Sequence, residues 1–230
     1  EKRIAELKKN LAEKTPAKLA ATDSALGAKI SEAQTKWEAE IASQLTEDRS
    51  DWTVAEAPKT KSSGGQTFEK LPDGSILTKG KNPGSENYVL TLKGSGKITA
   101  IRLETLTHES FVKKGLSRAN GNFVLTNTKV RKSDGTEVTI ASGKADFEQS
   151  GWPVANAFDG KSNTGWAVDG HNNPADHVAM FVLAEGIDLG KNGTLELEFQ
   201  FRSPHQKHHF GRFRLGLTTA EDPKLIGGLN

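Results

Sequence analysis

The stretch ADFEQSGWPVANAFDGKSNTGWAVDG, residues 145–170, decides how this chain is read. It holds Trp152, Trp166 and two Asp-Gly pairs, with the spacing Asn-X-X-Asp-Gly-X-X-X-Thr-X-Trp running from Asn156 to Trp166. Asp159-Gly160 specifies a tight turn, because Gly accepts positive φ and an Asp side chain bonds backbone two residues on. Trp166 then closes the loop with a large apolar face. The Asp159 carboxylate and the hydroxyls of Ser162 and Thr164 are hard oxygen donors of the kind a calcium ion requires. The same residues equally make a plain loop, in which Phe158 and Trp166 anchor the core and Asp159 caps its own turn. Both readings stay open on the residues alone.

Outward from this loop, the chain after residue 50 is punctuated rather than periodic at 3.6. Gly64-Gly65, Pro72-Asp73-Gly74, Pro83-Gly84, residues 94–96, Ser133-Asp134-Gly135 and Asn192-Gly193 separate short alternating runs, as an antiparallel sandwich requires. Strands are expected at residues 88–92, 98–103, 123–130, 138–141, 178–183, 195–201 and 213–217. In the run 195–201 the apolar residues alternate strictly, so Glu196, Glu198 and Gln200 share one outward face. No internal repeat suggests a solenoid.

Before residue 50 the period changes. Ile4, Leu7 and Leu11 share one helical face, and Leu26, Ile30, Ala33, Trp37, Ile41 and Leu45 recur at spacings of three and four. Pro16 suits an opening helical turn, and Thr22 and Ser24 offer caps. The expectation is a helical hairpin or coiled-coil-like appendage over 1–50, a β-sandwich over 51–222 and a tail over 223–230. Its lysines alternate with glutamates, which reads as a solvated outer face rather than a membrane-surface or calmodulin-target helix.

Composition narrows the function classes. The formal net charge of +2 over 230 residues argues against nucleic acid as partner. No run is long enough for membrane insertion and no secretory hydrophobic region is visible, so the reading is a mature form or a piece of something larger. Zero cysteines exclude disulfides, thiolate zinc sites, cysteine nucleophiles and a haem c attachment in this chain.

The pattern A-x-D-G-x-x-x-T-G-W, residues 157–166, resembles the first loop of discoidin-type galactose-binding domains. Five further segments sharpen this: LPDGSILTKG at 71–80, ITAIRLETL at 98–106, RANGNFVLTNTKV at 118–130, ADFEQ at 145–149 and GRFRLGLTT at 211–219. In that order they resemble the segment between the two large uncharacterised domains of planctomycete surface proteins often fused to a cytochrome c. The resemblance spans residues 35–222. It implies a mainly β, discoidin-like jelly-roll sandwich, preceded here by the helical hairpin, in an extracytoplasmic protein. The family often has Gly-Pro-Gly-Arg where this chain has Lys114-Gly115-Leu116-Ser117-Arg118, and the Asp-Gly loop lies mid-chain, as though the strand order were permuted.

Sugar rings stack their C–H faces on aromatic side chains, while hydroxyls and carboxylates need fixed polar partners. Trp152, between Gly151 and Pro153, is the expected platform. Arg118, Asn120 and Asn122 precede a strand, and Arg202, His205, Lys207, His208 and Arg212 surround a late hairpin loop. The arginines suit carboxylate recognition, against the plainer alternative of surface ion pairs with Asp146, Glu148 or Asp169. A metal at His205, His208 and His209 lacks carboxylate or thiolate help at a defined spacing. Catalytic pairs from Asp176 and His177, or Ser162 and His171, lack a supporting motif, and nothing brings Glu104, Glu148 and Glu198 together for glycoside hydrolysis. The expected function is a non-catalytic module that binds acidic, uronate-rich polysaccharide, with a structural calcium ion at Asp159 and Thr164. Its partners are then that polysaccharide and the flanking domains of a parent protein. The alternative is a structural interaction domain that holds those flanking domains and takes no glycan.

Overall fold

Alternating side chains give two antiparallel sheets that bury one face each. The computed structural model describes residues 32, 34–36 and 52–225. Among these, one sheet contains β1 (Thr53–Val54), β3 (Gln66–Lys70), β4 (Ile76–Gly80), β6 (Lys97–Thr105), β9 (Ile140–Ala145), β10 (His177–Asp188) and β12 (Arg212–Thr218). Its order is β3-β4-β12-β6-β10-β9, with β1 also on β12. The other contains β2 (Glu56–Ser62), β5 (Glu86–Gly94), β7 (Asn127–Lys132), β8 (Glu137–Val138) and β11 (Gly193–Phe201), in the order β2-β5-β11-β7-β8.

The strict alternation of β11 places Leu195, Leu197, Phe199 and Phe201 inside, none more than 3% exposed. Phe213, Leu215 and Leu217 of β12 face them from the other sheet. Rings join the two layers: Tyr88 of β5 stacks on Phe213 at 5.8 Å, and Phe199 meets Phe213 edge-on at 6.4 Å. Burying each such side chain contributes about 1.5–3 kcal/mol.

The expected strands at 88–92, 98–103, 178–183, 195–201 and 213–217 lie within β5, β6, β10, β11 and β12. Two expectations need correction. The run 123–130 becomes a strand only from Asn127, because Val124 and Leu125 bond the loops at His208 and Trp166 instead. The run 138–141 is split at Thr139, where the chain leaves the five-stranded sheet as β8 and enters the seven-stranded one as β9. Strands β1 to β4 were not anticipated.

Glu32, Gln34, Thr35 and Lys36 are helical and exposed, and the rest of the expected helical hairpin lies outside the described residues. The chain divides into two units, Glu1–Glu47 and Asp48–Asn230. No helix among the described residues is long and apolar enough to cross a membrane.

Candidate functional site

Three loops meet at one end of the sandwich: 106–126 between β6 and β7, 146–176 between β9 and β10, and 202–211 between β11 and β12. Asn122 Nδ2 donates to Gln149 Oε1 at 3.0 Å, Lys113 Nζ to the His171 carbonyl at 2.9 Å, and Val124 N–H to the His208 carbonyl at 2.9 Å. All four non-glycine residues with positive φ among the described residues, Lys113, Lys114, Asp169 and Lys207, sit in these loops. Such conformations cost about 1–3 kcal/mol each and gather at functional sites.

Loop 146–176 is built around Trp166, which is fully buried, meets Phe123 edge-on at 5.0 Å and donates from Nε1 to the Phe147 carbonyl at 3.0 Å. Trp152 differs. It is half-buried, its backbone fixed by bonds to Gln149 and from Ala167. Its indole meets the His205 ring at 5.7 Å and 66°. His205 in turn lies 5.5 Å from His208, whose Nδ1 donates to the Gln206 carbonyl at 2.9 Å. His205, Lys207 and Arg202 are exposed, and among the described residues the His205 ring nitrogens and Lys207 Nζ have no partner. Arg202 spends only Nε, on Asn87 Oδ1 at 3.2 Å. Trp152, His205 and His208 therefore form one line of ring contacts, and the exposed Lys207 and Arg202 lie in the same loop as the two histidines.

The other expected sugar-binding residues are occupied by the scaffold. Arg118 donates to the Lys81 and Gly80 carbonyls and to Gln66 Oε1, which ties loop 106–126 to strands β3 and β4. Arg212 holds Asp73, the Ser75 hydroxyl and the Thr107 carbonyl. Burial opposes ionisation of Asp73, but the Ser75 and Arg212 bonds outweigh it and pull its carboxyl down to about 2. Asn120 Oδ1 accepts the Asn122 N–H in a local turn. The buried Asn122 side chain accepts from Val168 and Gly170 backbone.

A buried polar cluster that sequence reading missed lies beneath these loops. Glu86, 1% exposed, accepts from the Ser62 and Ser63 hydroxyls, the Gly64 N–H and Gln66 Nε2. Burial alone would raise its pKa, but those bonds to the ionised form win and lower it. His209 is fully buried, and its Nε2 faces the Pro83 carbonyl at 3.2 Å while Nδ1 faces Tyr88 Oη at 3.2 Å. A carbonyl only accepts, so Nε2 carries the proton and Nδ1 accepts. Desolvation lowers the His209 pKa, so this histidine is a neutral structural pin, a further reason against the three-histidine metal group set aside above. The only sequence signal was its place next to Phe210, in the apolar phase leading into β12.

At the Asp-Gly loop, Gly160 has φ +77, as the turn requires. The Asp159 carboxylate accepts the Lys161 N–H at 2.8 Å and the Thr164 hydroxyl at 2.8 and 3.0 Å. Asp159 and Thr164 are thus brought together, bonded to each other. Among the described residues no three His, Cys, Asp or Glu side chains form a metal-holding group. The three glutamates considered for catalysis are dispersed. Glu198 lies on the outer face of the five-stranded sheet with Arg131, Glu104 on the outer face of the other sheet with Arg102 and Arg214, and Glu148 in loop 146–176 accepts the Val154 N–H.

No protein-family model matches this chain, and no curated protein does. Among solved structures, the CBM22-1 xylan-binding domain of Paenibacillus barcinonensis Xyn10C aligns over 74% of this chain and 87% of its own, at 12% identity and a TM-score of 0.28. A TM-score that low settles neither strand correspondence nor ligand.

Proposed function

We propose that the sandwich is a non-catalytic carbohydrate-binding module of discoidin-like, jelly-roll type that takes acidic, uronate-rich polysaccharide at the loop end around Trp152. The observation that carries this reading is the half-exposed Trp152 indole, held on a fixed backbone against His205, whose loop also carries the exposed Lys207 and Arg202. A sugar ring lies on the indole face, and Arg202 and Lys207 meet its carboxylate, since Arg118 and Arg212 are committed to the scaffold. Few contacts at a solvent edge must offset immobilisation of a flexible sugar, so affinity for a short oligomer is on the order of 0.1–1 mM. Salt weakens it, because exposed charges are screened over about 8–10 Å at moderate ionic strength. The reading places the module outside the cytoplasm, beside flanking domains of a parent protein.

Affinity electrophoresis in polygalacturonate and in neutral polysaccharide gels is the test. Stronger retardation by polygalacturonate, reduced in Arg202→Ala, is expected. Equal retardation by neutral gels removes the acidic preference, and none in any gel turns the reading to a structural interaction domain.

A further inference from the structure

We propose that Phe147 and His177 form a second subsite on the same loop, one that takes an uncharged sugar residue of the polymer held at Trp152. It rests on the carbohydrate reading above. Phe147 is one of three large apolar residues left exposed among the described residues, at 44%, and its ring lies 5.5 Å from that of His177 at only 32°. An exposed phenyl ring backed by a second ring is a firm stacking surface for the C–H face of a sugar.

The polar groups around it are set to accept hydroxyl protons. His177 is 8% exposed, and its Nδ1 lies 3.1 Å from Asp146 Oδ2, while Asp146 Oδ1 accepts the Val178 N–H at 3.0 Å. The carboxylate holds a proton on Nδ1, and Nε2 has no partner among the described residues. Asp176 spends Oδ1 on the Thr107 N–H and hydroxyl, both at 2.7 Å, and keeps Oδ2 for a ligand.

Loop 146–176 mounts both subsites on Trp166. The Phe147 carbonyl accepts Trp166 Nε1–H at 3.0 Å, Gln149 N–H donates to the Ala167 carbonyl at 2.9 Å, and Trp152 N–H returns to the Gln149 carbonyl at 2.8 Å. The two aromatics are five positions apart in the chain, so their backbones are at most about 18 Å apart. Charge divides the labour. Asp146, next to Phe147 in the chain and paired with the His177 ring that lies against it, repels a uronate there, whereas Trp152 meets the His205 loop that carries Lys207 and Arg202. The ligand is therefore a polymer that joins acidic to neutral residues, rather than a homopolymer of uronate.

The test compares retardation in gellan, whose repeat joins glucuronate to neutral sugars, with that in polygalacturonate, for wild type, Phe147→Ala, Asp176→Asn and Trp152→Ala of unchanged melting midpoint. Wild type should prefer gellan, Phe147→Ala should lose about tenfold of that preference, and Asp176→Asn should gain retention on polygalacturonate. A wild-type preference for gellan that survives in both Phe147→Ala and Asp176→Asn, while Trp152→Ala is weakened, overturns the subsite and leaves the module. Failure of wild type in every gel overturns the carbohydrate reading itself.

Discussion

The outer face of the five-stranded sheet and the loop end of the sandwich both carry several charged side chains, but they use them differently. On the sheet, Arg131 forks between Glu196 and Glu198 at 2.8 Å each, and Asn87 and Gln200 donate to the remaining Glu198 oxygen. Burial opposes the ionised Glu198, but the Arg131 and Gln200 bonds together with the Arg131 and Lys129 charges outweigh it and lower the pKa. At the loop end, Lys207 and His205 have no such partners among the described residues, and Arg202 spends only Nε, on the Asn87 that also donates to Glu198. The difference teaches that charge alone does not mark a binding surface. Hydrogen-bonding capacity left unspent beside an accessible ring does.

Substitutions break this contrast in graded steps. The largest effect is expected at Glu86, where Ala removes the acceptor shared by the buried Gln66 amide and the Ser62, Ser63, Gly64 and Asn87 donors. Unfolding by urea should show a loss of about 3 kcal/mol or more. Arg212→Ala removes contacts to Asp73, Ser75 and Thr107 and should cost about 1–2 kcal/mol. Its folded fraction should bind polysaccharide as wild type does, unlike Arg202→Ala, which should weaken binding at unchanged stability.

Acid probes the spent groups selectively. Because the folded pKa of His209 lies below its ordinary 6.5, the unfolded chain takes up a proton first, and stability falls as pH drops below about 6.5 toward that lower value. Glu86 and Asp73, also lowered, add losses below 4.5 and, for Asp73, between 3.8 and about 2. Melting midpoints between pH 8 and 3 should follow this order, and His209→Gln should flatten the first step. A smaller effect is expected at Asp159, where Ala removes its turn bonds and should cost about 1 kcal/mol, equally with calcium and with EDTA. A midpoint that rises with calcium in wild type would mean that the Asp159 and Thr164 oxygens turn from each other to a cation.

How far the sequence carried this account depends on whether a residue's partners are near in the chain. Strands buried on one face announce themselves by alternation, as β11 does, and Asp159-Gly160 announces its turn. Edge strands do not. Residues 56–62, EAPKTKS, bury only Ala57, and the register of β2 on β5 shifts across Pro58. Arg212 and Arg118 looked available because the partners that consume them, Asp73 and the Gly80 carbonyl, lie 139 and 38 residues away. Trp152 and Trp166 share one loop, and the burial that distinguishes them, half-buried against fully buried, is set by Phe123 and the Phe147 carbonyl, partners distant in the chain from Trp166.

The most direct test is the indole N–H spectrum of 15N-labelled protein titrated with an oligogalacturonate. Trp166 and Trp52 donate their Nε1 protons to the carbonyls of Phe147 and Lys224. The account predicts that the Trp152 indole signal shifts progressively while those two stay nearly fixed, together with shifts at His205 and His208. Saturable shifts confined to the Arg131 and Glu198 sheet face, with Trp152 unmoved, would contradict it.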